Sequence, residues 1–441
     1  MSPKNVFIKT YGCQMNVYDT QRMLKSLSSH YQMTEDIEAA DVVLFNTCSV
    51  REKAEHKIMS ALGELKPLKK KKPYLVVGVG GCVATQNADK LLKKVPHLDL
   101  VFGVDQIEDL PQLIHNAKNG QRKSETSFKQ EYSFYAVNSL VENVPKLVSS
   151  FVSVIQGCEK PCTFCIVPTT RGFEKSRSHQ EVIQEARSLV GAGSCEIVLL
   201  GQNVNAYRTK EATFEELVAS LDFVPRLRYI TSHPNDVSDE MIRIHRDQKN
   251  LCEHIHMPIQ AGSNRTLKRM VRLYSREEYM DKIKKIREEV STIAITTDII
   301  VGFPGETDQD FEETLSAIEE AQFDHVFAFK YSPRPGTPSK EKFSDDVPEN
   351  LKNERLQRVF DVSEKMHLAQ NQSYVGKKVE VLVEGPSKNN PKKLTGRTRN
   401  NKIVNFIGKN LPDGFKIKNN AKSFVNVVIH DVTPHSLNGC Y

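Results

Sequence analysis

The sequence predicts a mixed α/β protein built in three parts: an N-terminal parallel α/β sheet domain, a central partial (β/α)6 barrel and a small C-terminal β-barrel. Three observations predict it. In the first third, β-rich runs alternate with helical patterns, the rhythm of a parallel sheet with helical crossovers. The alternation then returns for six further units, enough for a barrel or partial barrel. The last stretch changes to short strands broken by Gly, Pro and Asn, the pattern of a small closed β structure. A length of 441 residues accommodates about three domains at roughly 150 residues each. The expected boundaries are 1–118, 149–372 and 373–441, with a linker over 119–148.

In the first domain the strand-like runs are Val6–Lys9, Val42–Phe45, Leu75–Val79 and Leu100–Phe102. Lys69–Lys72 reads as a solvated surface loop, because short charge runs usually face water. From about Asn119 to Val148 the chain is polar and aperiodic, as a linker should be. The second series has strands at Phe151–Ile155, Glu196–Leu200, Leu227–Ile230, His254–Pro258, Ala294–Val301 and His325–Phe329. Helical patterns such as Arg276–Val290 and Asp308–Ala321 follow most of them. These strands end in the clusters QGCEKPC, LLGQNVNAY, ITSHPND, MPIQAGSN, IVGFPGET and FKYSPRPGT. Barrel enzymes take their sites from C-terminal strand ends, so the six clusters form the expected active-site wall. Helical Leu351–Gln370 then leads to strands in KKVEVLVEG, TGRTRNNKIVNFIG and SFVNVVIHDV.

With 39% hydrophobic and 26% charged residues, the composition is that of an ordinary globular protein and excludes collagen-like or disordered chains. The opening MSPKNVFIKTYG lacks a secretory apolar core, and no stretch reaches the roughly 18 apolar residues of a membrane helix. A cytoplasmic protein without membrane contact is expected. The net charge of +6 is unevenly spread: from Tyr374 onward there are 12 Lys+Arg against 4 Asp+Glu, which leaves −2 for the rest. A tail domain carrying +8 suits a polyanionic partner such as RNA.

Nine cysteines, an odd number without an export signal, favour metal or redox chemistry over disulfides. Cys158, Cys162 and Cys165 stand within eight residues, in QGCEKPCTFCIVPTTRG. Three thiolates so spaced can hold three irons of a cubane cluster and leave the fourth open. A zinc knuckle is the alternative; it needs four closed ligands, and the nearest further candidate is His179. Cys13, Cys48 and Cys82 each follow a strand, with 34 and 33 residues between them, one βα unit apiece. Ligands of open α/β sheets bind outside the carboxyl ends of strands, so these three can converge. Three unrelated buried thiols are the other reading. Cys195, Cys252 and Cys440 show no such pattern and read as bystanders.

The spacing Cys158, Cys162, Cys165 at the start of a βα series resembles the radical S-adenosylmethionine superfamily. TYGCQMN, NTCSVREKAE, GCEKPCTFCIVP, MPIQAGSNRTLKRM, TTDIIVGFPGET, YSPRPGTP and TGRTRNNKIVNF together resemble its methylthiotransferase family, in motif order along the whole chain. One local departure is Thr169, where an aromatic residue is expected. The resemblance implies two 4Fe–4S clusters. One is held by Cys158, Cys162 and Cys165 and binds S-adenosylmethionine; an auxiliary one is held by Cys13, Cys48 and Cys82. It further implies that one cofactor molecule methylates a sulfur on the auxiliary cluster while a second is cleaved to a 5′-deoxyadenosyl radical. The tail resembles a TRAM domain, which carries tRNA in related enzymes.

Other positions are carried by the same resemblance. Gln202 and Asn203 face the cofactor in the family, although they could merely cap a helix, and Gly302, opening GFPGE, lies beside adenine and ribose. Ser232, Gln260 and Asp298 are placed at the same level of the barrel. His233 suits either a structural or a catalytic role. Arg334, Arg397 and Arg399 are expected to contact substrate, since a guanidinium suits phosphate or purine.

The expected activity is methylthiolation of carbon 2 of N6-isopentenyladenosine adjacent to the anticodon. The partners are a tRNA anticodon stem-loop and an electron donor such as a flavodoxin or ferredoxin, and the enzyme is expected to be a monomer. The nearer rival is a sister enzyme acting on threonylcarbamoyl-adenosine or a ribosomal-protein aspartate. The farther one is a non-catalytic iron–sulfur sensor that binds RNA.

Overall fold

The first 125 residues fold, in order, into β1 (Lys4–Tyr11), α1 (Gln14–Leu27), β2 (Tyr31–Met33), β3 (Val42–Thr47), α2 (Glu52–Glu64), α3 (Lys66–Lys71), β4 (Val76–Gly81), α4 (Cys82–Lys94), β5 (Leu100–Phe102), α5 (Leu110–Lys118) and β6 (Lys123–Glu125). The structure is a computed structural model that describes residues 3–48, 52–129, 147–408 and 423–441. The six strands make one parallel sheet in the order β2-β1-β3-β4-β5-β6. All six residues of β3 are buried, and so are those of β4, because helices cover both faces. Val43 and Phe45 pack with Ile58, Leu62 and Leu91 on one side. Val42 and Leu44 pack with Leu24, Leu27 and Ile114 on the other, the two-residue alternation of a strand.

Three details correct the sequence reading. Lys69–Lys72 is not a loop: Lys66–Lys71 is helical, with Pro67 in its first turn and Leu68 buried. Proline is preorganised for that position, and the buried leucine holds the turn down. Lys69 reaches Asp99 at 2.7 Å. The edge strand β2 was not anticipated, since three residues are too few for a visible alternation. β6 was not anticipated either and lies inside the stretch read as linker; residues 130–146 of that stretch are outside the described residues.

Next come β7 (Ser149–Ser153), β8 (Ile155–Gln156), α6 (Val167–Arg171), β9 (Lys175–Ser176) and α7 (His179–Gly191). β8 and β9 pair antiparallel, and Gln156 donates to Asp105 at 2.8 Å. The chain accordingly divides into two compact units: Met1–Pro145, Phe151–Glu159 and Ile166–Glu185 in the first, Lys146–Ser150, Lys160–Cys165 and Ala186–Tyr441 in the second. The tail and most of the second series fall in one of these units.

The second unit continues with β10 (Glu196–Leu200), α8 (Phe214–Ala219), β11 (Arg226–Tyr229), α9 (Asp239–Asp247), β12 (His254–His256), α10 (Asn264–Arg269), α11 (Arg276–Glu289), β13 (Ala294–Val301), α12 (Asp308–Ala321), β14 (His325–Lys330), α13 (Pro338–Lys342) and α14 (Glu349–Gln372). β10 pairs parallel with β11, and β13 pairs parallel with both β12 and β14. A parallel bridge between Leu227 and Leu251 joins the two series. Capping boxes start α11 at Ser275 with Glu278 and α12 at Thr307 with Asp310, each satisfying otherwise orphaned N–H groups.

The tail forms β15 (Lys378–Pro386), β16 (Leu394–Arg397), β17 (Ile403–Ile407), β18 (Phe424–Val432) and β19 (Leu437–Cys440). They close into a barrel in the order β15-β16-β17-β19-β18 around Val381, Val383, Phe406, Val427 and Leu437. β19 was not anticipated, since LNGC lacks β-branched residues. Lys409, Lys416, Lys418 and Lys422, counted in the tail charge, lie outside the described residues.

Candidate functional site

The register of the first sheet sets three cysteines at one level. Tyr11, Thr47 and Gly81 are partners across β1, β3 and β4. Cys48 and Cys82 each come one residue beyond this row, and Cys13 two. The strand order changes direction at β1 and β3, which is where doubly wound sheets open a crevice. Cys13 is the N-cap of α1, and Cys82 is the first residue of α4. Both thiols thus face the positive end of a helix, which favours thiolate. Cys48 and Cys82 are buried; Cys13 is exposed.

Several side chains that the sequence did not single out hold this row. Asn16 donates to Asn46 and to the Thr47 carbonyl, both at 3.2 Å, and Asn46 returns a bond to the Asn16 carbonyl at 2.7 Å. Thr47 donates to the Gly80 carbonyl at 2.8 Å. Gly81 has φ +88°, and a Cβ there would lie 2.4 Å from the Thr47 carbonyl oxygen, so only glycine lets Cys82 start its helix so close to β3. Asp19, on α1, accepts from Arg171 at 2.7 Å.

Hydrogen bonding with Cys48 draws the Cys13 thiol down to about 6; desolvation by the surrounding protein atoms opposes this even though part of the residue reaches the surface, while Arg171 and the N–H groups of Asn16 and Met15 assist. Cys13 is ionised above about pH 6, where an ordinary thiol is protonated. In metal-free protein, alkylation of Cys13 by iodoacetamide is therefore expected to rise between pH 5 and 7, about 2.5 units below an unperturbed thiol. Peptide mass spectrometry of the alkylated chain reads this directly, and a rise only above pH 8 would contradict it.

Cys158 lies in the first unit, Cys162 and Cys165 in the second. Cys158 leaves the β8–β9 hairpin with its N–H on the Gly172 carbonyl at 3.2 Å. Gly157 has φ +83°, and a Cβ there would meet the Phe173 carbonyl oxygen at 1.9 Å. In the second unit, Thr163 anchors its loop on the Met270 carbonyl through its N–H (3.0 Å) and on the Arg269 carbonyl through its hydroxyl (3.1 Å). Buried Arg272 donates Nη1 to Cys162 Sγ at 3.2 Å, Nη2 to the Pro258 carbonyl at 2.9 Å and Nε to Tyr274 at 2.8 Å. The sequence signal for Arg272 was faint: it stands two residues past MPIQAGSNRTLKRM.

The remaining expected positions separate into two kinds. Ser232 Oγ and Gln260 Oε1 are buried without a hydrogen-bond partner. Buried polar atoms are seldom left so, and ligand donors would complete them. Gln260, at φ +75°, is held by its N–H on the Asp298 carbonyl and by Ile300 donating to its own carbonyl, both 2.9 Å. Asp298 lies 3.5 Å from His256 Nε2. Gly302 has φ +70° and donates to Glu306 at 2.8 Å. Gln202 follows β10, half-buried.

Asn203 is a brace: its amide donates to Asp236 at 2.7 Å and accepts from the His233 N–H at 3.0 Å. Asp236 also takes Lys160 at 2.6 Å. Burial, with Arg272 and Lys160 nearby, lowers the His233 imidazole to about 2. Its Nδ1 accepts from the Asn235 N–H, which fixes the neutral form of His233. Arg334 is half-buried, and its carbonyl accepts from the Thr337 N–H at 3.1 Å.

Arg397 and Arg399 both have partners within the second unit. Arg397 pairs with Glu384 at 2.9 Å. Arg399 pairs with Glu253 at 2.7 Å and donates to the Lys249 carbonyl at 3.0 Å. Among the described residues of the tail, Lys377, Lys378, Lys388 and Lys392 are exposed cations. Arg399→Ala is expected to lower stability by about 2 kcal/mol, the scale of charged hydrogen bonds, with little change in RNA affinity. A urea midpoint and a filter-binding curve check it; an unchanged midpoint with lost affinity would return Arg399 to the substrate.

Among the described residues, no three His, Cys, Asp or Glu side chains converge on a point that one metal ion could occupy. A cubane differs in asking each cysteine to reach its own iron, so a row of strand-end thiols suits it. Among the described residues, no helix is long and apolar enough to cross a membrane.

Residues 5–103 match the uncharacterized protein family UPF0004, 152–318 the radical SAM superfamily and 372–440 the TRAM domain. A "tRNA-2-methylthio-N(6)-dimethylallyladenosine synthase" of Oceanobacillus iheyensis is 43% identical, covering 99% of this chain and 84% of its own length. A protein of the same name from Clostridium perfringens is 44% identical, covering 92% of this chain and 93% of its own. In fold, the chain is similar to TsrM of Kitasatospora setae, a radical S-adenosylmethionine methyltransferase. The TM-score is 0.59 at 13% identity, over 76% of this chain and 75% of that one. It is also similar to the cobalamin-dependent S-adenosylmethionine radical enzyme OxsB, with a TM-score of 0.54 at 12% identity, over 82% of this chain and 56% of that one.

Proposed function

Since the chain belongs to the tRNA-2-methylthio-N(6)-dimethylallyladenosine synthase family, we propose that it places a methylthio group on carbon 2 of N6-isopentenyladenosine beside the anticodon. It is a radical S-adenosylmethionine tRNA methylthiotransferase. The sister substrates and the non-catalytic sensor are set aside, because relatives at 43–44% identity over nearly the full chain carry this one name.

The observation that carries the site assignment is the row of Cys13, Cys48 and Cys82 beyond three adjacent parallel strands. These would hold an auxiliary cluster, and Cys158, Cys162 and Cys165 the one that binds S-adenosylmethionine. When bound there, the cofactor supplies radical chemistry, which an unactivated aromatic hydrogen requires. The protein's own contribution is to bind and orient. Ser232 and Gln260 offer unpartnered oxygens to the cofactor's amino and hydroxyl groups, beside Gln202 and Asp298. Gly302, at positive φ where a Cβ would meet Lys352, lets the strand-to-helix turn form beside the expected adenine position. Arg272 steadies Cys162, and Arg334 is placed toward substrate. The tail's surface lysines hold tRNA phosphates, which leaves the loop base free to be splayed into the barrel. The enzyme works as a cytoplasmic monomer supplied by a flavodoxin or ferredoxin.

Expression in a bacterium lacking its own enzyme of this kind tests the reading. Nucleosides from its tRNA should gain the methylthio-isopentenyl form. Accumulation of a methylthiolated threonylcarbamoyl nucleoside instead would move the chain to the sister substrate.

A further inference from the structure

Arg171, the last residue of α6, is 3% exposed, yet its two terminal nitrogens differ. Nη2 donates to Asp19 at 2.7 Å, whereas Nη1 is buried and has no hydrogen-bond partner. A buried guanidinium N–H without an acceptor destabilises the fold unless a ligand completes it.

The surroundings of Arg171 indicate the ligand. Asp19 lies on α1, which begins at Cys13, and α6 packs against α4, which begins at Cys82. The guanidinium's charge acts on both thiols. Two helix N-termini add their partial positive charge to the same place. A small negative ligand is what this environment favours, and among cysteines it is a soft one. Asp19 fixes one edge of the planar guanidinium and so aims the other, as a lysine ammonium would not be aimed.

We propose that Arg171 is the anion anchor of the N-terminal cysteine site, its free Nη1–H holding a sulfide or thiolate beside Cys13 and Cys82. This rests on the reading that these two, with Cys48, are cluster ligands. A methylthio transferase must keep a sulfur anion of this class in one orientation until it is used, and Arg171 supplies a fixed donor for it. The next residue, Gly172, receives the Cys158 N–H, so one short segment supports members of both cysteine sets.

The test uses the full chain, reconstituted anaerobically and titrated with sodium methanethiolate while the electron paramagnetic resonance spectrum of the reduced clusters is read. Two variants are compared with the parent: Arg171→Gln with Asp19→Asn, which neutralises the pair together, and Arg171→Lys, which keeps the charge. The parent should show a saturable spectral change. The double variant should retain the iron of two clusters and bind methanethiolate at least tenfold more weakly, with the lysine variant between. Equal affinity in the double variant at full iron would overturn the proposal, as would a parent with two clusters and no response. Iron loss in both variants would assign Arg171 to folding and also overturn it. A parent that holds one cluster, unchanged by Cys13→Ala, would instead refute the reading of the cysteines.

Discussion

Replacement of Cys158, Cys162 or Cys165 by alanine is expected to abolish 5′-deoxyadenosine formation from S-adenosylmethionine, down to the assay background, while tRNA binding stays close to the parent's. The argument starts from ligand count. Three thiolates leave a cubane one open iron for the cofactor; two leave the cluster itself unsupported. Changes in the groups behind metal ligands already lower affinity or activity by about 10–100-fold, so loss of a ligand is more severe. The local structure gives no substitute. Thr163 fixes its loop through three hydrogen bonds: its N–H on Met270, its hydroxyl on Arg269 and Ser339 donating to its carbonyl at 2.8 Å. Gly157 and Gly172 fix the exit of Cys158 at positive φ. RNA affinity survives because the excess positive charge is in the tail. Anaerobic chromatography of the reaction and a filter-binding curve read the two halves. Cleavage retained by an alanine variant would contradict the assignment.

Alanine at Cys13, Cys48 or Cys82 is expected to divide the reaction: cleavage remains measurable and the methylthio product disappears. Each thiol is placed by a different strand end, and the row is locked by Asn16, Asn46 and Thr47, so no neighbour can replace a missing member. Cys252 provides the comparison. Burial pushes its thiol up to about 11, which keeps it protonated at neutral pH, and it stands at none of the strand ends or loops that carry the other six. Cys252→Ala should therefore leave both products intact at the cost of some core packing. If cleavage vanished in the Cys13, Cys48 and Cys82 variants, the two sets of cysteines would not have separate tasks.

The parts of this site that were legible in the sequence share one property: the chemistry and the position are both local. Cys13, Cys48 and Cys82 each follow a run of strand-forming residues, so their shared level at the strand ends follows from a parallel sheet without any knowledge of packing. The strands of the second series were legible for the same reason, from Glu196–Leu200 to Ala294–Val301. What was not legible depends on partners far along the chain. Arg171 is six residues past Cys165 inside a motif read for its cysteines, and only the fold shows that it reaches Asp19. The pairing of Arg399 with Glu253 was hidden for the same reason, because composition cannot tell a guanidinium facing phosphate from one facing a carboxylate. The lysine run was misread because its helix depends on one proline and one buried leucine, and β19 because its strand is made by its neighbours on either side.

The most direct test of the central claim is mass spectrometry of nucleosides from isopentenylated tRNA, incubated anaerobically with the reconstituted protein, S-adenosylmethionine and a strong reductant. The account predicts a product whose added mass matches one hydrogen replaced by a methylthio group on the isopentenyladenosine. Release of 5′-deoxyadenosine with every tRNA nucleoside unchanged would contradict it.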